Sequence, residues 1–299
     1  MSLTILEASK LNDGNTFKAG VIEKYAQSSD ILLALPFSDI EGNSLSYNIE
    51  ETLPGIGFRG VNGSYTESTG ILNPQVESLK IAGGDLDVDK FIVDTMGADQ
   101  RAVQEGMKVK ALALSWTKTF IKGDSTTDPK EFDGLQTRLS GDAVIGNGTV
   151  GLSLLKLDEA IDAVDNATHL IMNKTMRRRL TAAARNTAVG GYITYEQDAF
   201  GRQVTKYNDL PILIVDKDNT NTDILGFTEA SSTTSIYVVS FGDGAVTGLQ
   251  NGGMDVRDIG ELETKPSYRT RVEWYNGFGV FAPRSASRLN LITNAAVTA

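Results

Sequence analysis

Apolar and polar positions recur with two periods along this chain, and the switches between them mark its elements. Leu45, Tyr47 and Ile49 alternate with Ser46, Asn48 and Glu50, the period of two that predicts a strand. A second such run covers 76–81. Between them, residues 53–74 carry Gly55, Gly57, Gly60, Gly63 and Gly70. A loop of this length is rare in a compact domain and is usually functional. Two strands with a long glycine-rich tip read as an extended hairpin. An isolated two-stranded ribbon is marginal in water, so it needs a surface, and a neighbouring subunit is the simplest supplier. The plainer alternative is a disordered surface loop.

Asp85, Asp87 and Asp89 alternate with Leu86 and Val88. The start resembles a calcium loop, but Lys90 stands where that loop needs glycine and Met96 where it needs glutamate. The expectation is a strand with one solvated acidic face.

Residues 97–121 change to helical spacing. Val103, Met107, Ala111 and Leu114 form one apolar stripe. Val109, Leu112, Trp116 and Phe120 form a second, roughly 200° away. Such a helix, about 36 Å long, is expected to be covered on two sides, by a sheet and by a second layer or another subunit. Lys122 and Gly123 supply a C-terminal stop.

Residues 123–141 form a turn-rich connector anchored by Phe132 and Leu135. A mixed α/β stretch follows: a helix over 157–164, a strand over 167–172, a helix capped by Asn173 and running to about Ala184, then strands at 192–195, 210–215 and 236–241. From Asp255 strands return, with Thr270, Val272 and Trp274 alternating against polar neighbours, then 278–281 and 289–292. These late strands are expected to pair with those at 76–93. Ahead of all this, Phe17, Val21, Ile22 and Tyr25 make a short amphipathic stretch. It suits a helix docked on its own domain or an arm packed on a neighbour.

Composition narrows the function. The 299 residues contain no cysteine and one histidine, His169, which excludes disulfide scaffolds, thiolate sites and multi-histidine metal centres. A net charge of −10 argues against a dedicated nucleic-acid binder. No apolar run approaches the roughly 18 residues of a membrane span, and the N-terminus lacks signal-peptide features. A cytoplasm, or a particle assembled there, is the expected compartment.

Few residues suggest chemistry. Residues 146–151, GNGTVG, match a dinucleotide-binding glycine pattern, but the preceding apolar run is only three residues, and a hinge is the preferred reading. Arg177, Arg178 and Arg179 spread over about 200° of a helix, as on a solvated face or in a contact with an acidic partner helix such as 157–165. His169 lies in a strand without a nearby nucleophile motif and reads as structural. No catalytic, metal or cofactor site is assigned.

Taken together, the order of elements resembles the major capsid proteins of tailed bacteriophages, which share the HK97-type α+β fold. The N-terminal arm (1–40) is followed by a hairpin similar to the family's E-loop (41–82). The long helix looks like the spine helix of a discontinuous P-domain (83–145 and 252–299). EFDGL (131–135) resembles the turn that follows that helix. THLIMNKTMRRRL, YITYE and NDLPILIVD look like the A-domain (146–251), and TRVEWYNGFGVFAPRSASRLNLI like the last P-domain strands. The resemblance implies a structural subunit that forms pentamers and hexamers of an icosahedral head around double-stranded DNA. Its implied partners are its own copies, with scaffolding, portal and decoration proteins. No cofactor, enzyme activity or membrane contact is implied, and the implied location is the virion, assembled in the host cytoplasm. Expected contact residues are Arg59, Tyr65 and Glu67 at the E-loop tip, with Trp116, Arg177 and Arg178 elsewhere. No lysine lies between Glu51 and Leu79, so the family's E-loop lysine crosslink does not carry over. Three rival readings remain: an encapsulin-like compartment, a nucleotide-binding α/β enzyme using 146–151, and a tail-tube or decoration subunit.

Overall fold

The computed structural model describes residues 29–96, 99–185, 193–197 and 203–298. The amphipathic stretch 17–25 and the start of the arm lie outside these residues. The chain enters through a short helix, α1 (Asp30–Ala34), and a strand, β1 (Phe37–Asp39). The hairpin strands β2 (Ser44–Thr52) and β3 (Ile71–Ser78) pair antiparallel, from Ser44 opposite Ser78 to Thr52 opposite Ile71. The second strand therefore begins earlier than its apolar alternation suggests. Leu79 separates it from β4 (Lys80–Asp89), which is followed by helices α2 (Lys90–Met96) and α3 (Asp99–Lys122).

Two sheets share the body. In the first, β13 (Ser267–Val280) is the spine, bordered along one edge by β4. Its other edge is lined successively by β12 (Asp255–Glu261) and β11 (Val246–Gln250), and β1 joins β11 in parallel. The expected strand at 278–281 is the end of β13. Asp85 is exposed and Asp87 half-buried, as an acidic face at the surface requires, but neither stands alone. Arg271 and Arg269 reach across from β13 to form two-pronged pairs with them at 2.6–3.0 Å, and Lys265 also pairs with Asp87. Directly opposed unlike charges stabilise such a ladder, and the arginines hold both carboxyls below the usual carboxylate range.

The second sheet has seven strands, in the order β5 (Val144–Val150), β14 (Ala286–Ile292), β10 (Thr234–Val239), β6 (His169–Asn173), β9 (Leu210–Val215), β8 (Gln203–Tyr207) and β7 (Ile193–Gln197). The final strand thus departs from expectation: β14 lies here, antiparallel to β10 and parallel to β5, and does not pair with 76–93. Residues 146–151 are not a hinge either, since β5 runs through them. Asn147 ties the segment down by donating to Val150 O and Gly151 O, and Gly148 and Thr149 take positive φ where the register shifts. No glycine turn opens a helix there, which removes the geometric basis of nucleotide binding.

Both faces of this sheet are buried at its central strands β10 and β6. On β10, Ile236 and Val238 face helices α5 (Leu154–Asp162) and α6 (Lys174–Ala183), while Tyr237 and Val239 join α1, α3 and the first sheet. Asn173 caps α6 as expected, its side chain accepting from Met176 N at 2.7 Å. The EFDGL turn and helix α4 (Leu135–Arg138) close the end of α3. Gly134 N donates to Gly123 O at 2.8 Å. A Cβ on Gly123 would meet Phe132 O at 2.2 Å, and one on Gly134 would meet Ile121 O at 2.7 Å, so the two backbones can cross only as glycines.

Candidate subunit interface

The hairpin leaves the body on its own, and its base is locked. Glu77 on β3 receives both terminal nitrogens of Arg138 from α4, one at 2.7 Å, and the Tyr47 hydroxyl at 3.2 Å. The Arg138 guanidinium lies 4.7 Å over the Phe278 ring, and Tyr47 meets Phe281 edge-on at 4.6 Å. Burial, then the neighbouring Glu77 charge, pushes the Tyr47 phenol up to about 12. Sequence reasoning missed this anchor, because Glu77 and Arg138 are 61 positions apart. The only local signal was the odd charge on an otherwise uncharged strand.

Beyond the base nothing among the described residues covers the arm. Strands of this length project about 30 Å. Its tip exposes Ile56, Phe58 and Val61 almost completely, with Leu53 and Tyr65 largely exposed. Contiguous exposed apolar side chains mark an interaction surface. Arg59 sits 5.2 Å over the Tyr65 ring and donates to Gly63 O at 3.3 Å, so two expected tip residues meet each other. Glu67 is exposed beside them.

The described residues cover helix α3 on one side only. Val109, Trp116 and Phe120 are buried, whereas Val103 and Met107 are 53% and 61% exposed, next to exposed Phe91 on α2. The expectation for Trp116 needs correction. It is 2% exposed and lies within 5.2–6.3 Å of Phe37, Phe120, Phe132 and Trp274. It packs the subunit's own core and presents no surface to a neighbour, because the stripe bearing Trp116 is the one that faces β13. A groove of about 310 Å³ runs between β4 and α3, with Lys108 and Lys130 on its rim.

Arg178 is exposed and donates to Thr175, while Arg177 is half-buried in a cleft with Asp30, His169 and Lys206. The acidic helix expected to complement them is partly engaged within the subunit: Lys156 pairs with Glu159, Tyr207 donates to Asp158, and Arg284 pairs with Asp165. Burial lowers the His169 imidazole to about 4, which makes it a neutral packing group against Phe241. Among the described residues no group of acidic or histidine side chains could hold a metal ion, and no helix is long and apolar enough to cross a membrane.

No known family's sequence pattern matches the chain, and no curated protein matches it. Solved structures do. The SrpI encapsulin complex from Synechococcus elongatus PCC 7942 contains a chain similar at TM-score 0.67 and 16% identity, covering 100% of this chain and 99% of that one. The capsid of a native GTA particle matches at TM-score 0.62 and 16% identity, over 89% and 91% of the two chains. A chain of Microbacterium phage Oxtober96 matches at TM-score 0.61 and 14% identity, over 89% and 90%. The likeness extends over 89–100% of the chain, and the protein has the HK97-type fold of phage capsid and encapsulin subunits.

Proposed function

We propose that this chain is the structural subunit of a bacteriophage head, self-assembling into pentamers and hexamers that enclose double-stranded DNA. The observation that carries the reading is the hairpin. It is anchored at its base, apolar at its tip, and without a surface among the described residues to lie on. An adjacent copy supplies that surface, and the open Val103–Met107 stripe of α3 is an unpaired apolar face of the kind a neighbour covers. Arg59, Tyr65 and Glu67 make polar contacts at the tip, and Arg177 and Arg178 contribute to a second contact around α6. Scaffolding, portal and decoration proteins are further partners, and the virion is assembled in the cytoplasm of the bacterial host. The net charge of −10 suits a shell that confines DNA by closure and does not grip each phosphate.

A second reading is an encapsulin-like compartment enclosing protein, since the SrpI encapsulin shares the fold over the whole chain. Particles purified from the native source and treated with nuclease separate the two. Protected double-stranded DNA supports the head, and a protein cargo without nucleic acid replaces it with the compartment.

A further inference from the structure

Four Asn–Gly pairs occur in this chain, at 62–63, 147–148, 251–252 and 276–277. Glycine lacks a Cβ, so its backbone nitrogen can approach the preceding side-chain amide more freely than that of any other residue. In that reaction the glycine nitrogen gives up its proton and attacks Cγ of asparagine. The N–Cγ bond forms, the Cγ–Nδ2 bond breaks, and ammonia leaves with the proton. Water then opens the resulting succinimide at either carbonyl, giving aspartate or isoaspartate. No oxidant, metal or enzyme is needed.

The fold treats the four pairs differently. Asn147 is 5% exposed; it donates to Val150 O at 3.1 Å and Gly151 O at 2.9 Å, and accepts from Ser153 N at 3.0 Å. Asn276 is 1% exposed within β13, paired with Lys80 on one side and Gln250 on the other, and it donates to Trp274 O. Asn251 is exposed, but its amide donates to Gly42 O at 3.0 Å and its backbone N to Tyr275 O. Asn62 is exposed at the hairpin tip with φ at 65°. Among the described residues its side chain makes no hydrogen bond, and the Gly63 N–H is held only by Gly60 O at 3.1 Å.

We propose that Asn62–Gly63 is a site of spontaneous deamidation and isoaspartate formation, placed by the fold at the tip of the arm. The reaction exchanges a neutral amide for a carboxylate next to Gly63, whose carbonyl receives Arg59. The tip therefore gains a negative charge, or a backbone lengthened by one carbon, within the surface that carries Ile56, Phe58 and Val61. The inference rests on the geometry of the unassembled subunit, in which the tip is exposed, and not on the proposed shell.

The test uses the full-length protein, incubated warm at mildly alkaline pH. Tryptic peptides spanning 60–80, 139–156, 218–257 and 272–284 are followed by fragment mass spectrometry and by isoaspartyl methyl labelling. Asn62 is expected to convert at least about tenfold faster than Asn147 and Asn276, equivalent to about 1.4 kcal/mol of barrier, with Asn251 between. In concentrated urea the four rates should converge. Gly63→Ala should slow conversion at 62 by about tenfold while leaving Asn251 unchanged. Native conversion of Asn147 or Asn276 at the rate of Asn62 would overturn the proposal. So would an unchanged rate in Gly63→Ala, or a ranking that persists in urea.

Discussion

Replacing Glu77 with glutamine should release the arm without dismantling the body. Glu77 and Arg138 side chains are 16% and 18% exposed, and the carboxylate takes both terminal guanidinium nitrogens and the Tyr47 hydroxyl. Removing one partner of a buried pair costs about 3–5 kcal/mol, because the other charge stays behind without compensation. The cost here falls below that range, about 2–3 kcal/mol, because the pair is only partly buried. Glutamine still accepts one bond, Arg138 Nε keeps its bond to Asp133 O at 2.7 Å, and the guanidinium keeps the Phe278 face. Urea unfolding reads the loss, and hydrogen exchange locates it. Amides of β2 and β3 should exchange faster while those of β6 and β10 stay protected. Pairing Glu77→Gln with Arg138→Met should recover about 1.5 kcal/mol of coupling. A single variant within about 0.5 kcal/mol of the parent, the range of ordinary surface changes, with unaltered hairpin exchange, would show that the anchor holds nothing.

Further outcomes follow from the same geometry. Trp116→Ala should cost about 3–5 kcal/mol in thermal or urea unfolding, as expected for a buried aromatic, whereas Met107→Glu on the open stripe should leave stability within about 0.5 kcal/mol yet block particle formation in electron micrographs. Acid should weaken the fold through His169. Its folded-state value of about 4 lies below the ordinary 6.5, so the unfolded chain takes up the proton first. The stabilisation is complete above pH 6.5 and is lost as pH falls from there toward 4. His169→Phe should flatten that part of an unfolding-versus-pH series.

The sequence showed period and order better than it showed partners. Period two at 45–49, the Asn173 cap and the apolar stripes of 97–121 are local signals, and the corresponding elements stand where those signals put them. What it misplaced depends on pairing between distant segments. Leu289 alternates like any late strand, and nothing local says that it joins Ile236 and Ile145 instead of β4. Asp85 and Asp87 do lie at the surface, but nothing local says that β13 brings Arg271 and Arg269 opposite them. Trp116 and Met107 occupy two apolar stripes of equal strength, and only the position of β13 decides which is core and which is open. The residues that fix the arm, Tyr47, Glu77 and Arg138, were invisible for the same reason, while Arg59 and Tyr65 at the tip were accessible to local reasoning because they lie six positions apart.

The central claim is that an unsupported arm completes a neighbouring copy of this chain. Mass measurement and electron microscopy of the intact protein beside a variant lacking residues 55–70, with circular dichroism to confirm that both are folded, test it most directly. The account predicts closed shells, or five- and six-membered rings, from the intact chain and folded, unassembled subunits from the variant. Normal shells from the variant, or an intact chain that stays monomeric even with a scaffolding protein or crowding agent present, would contradict it.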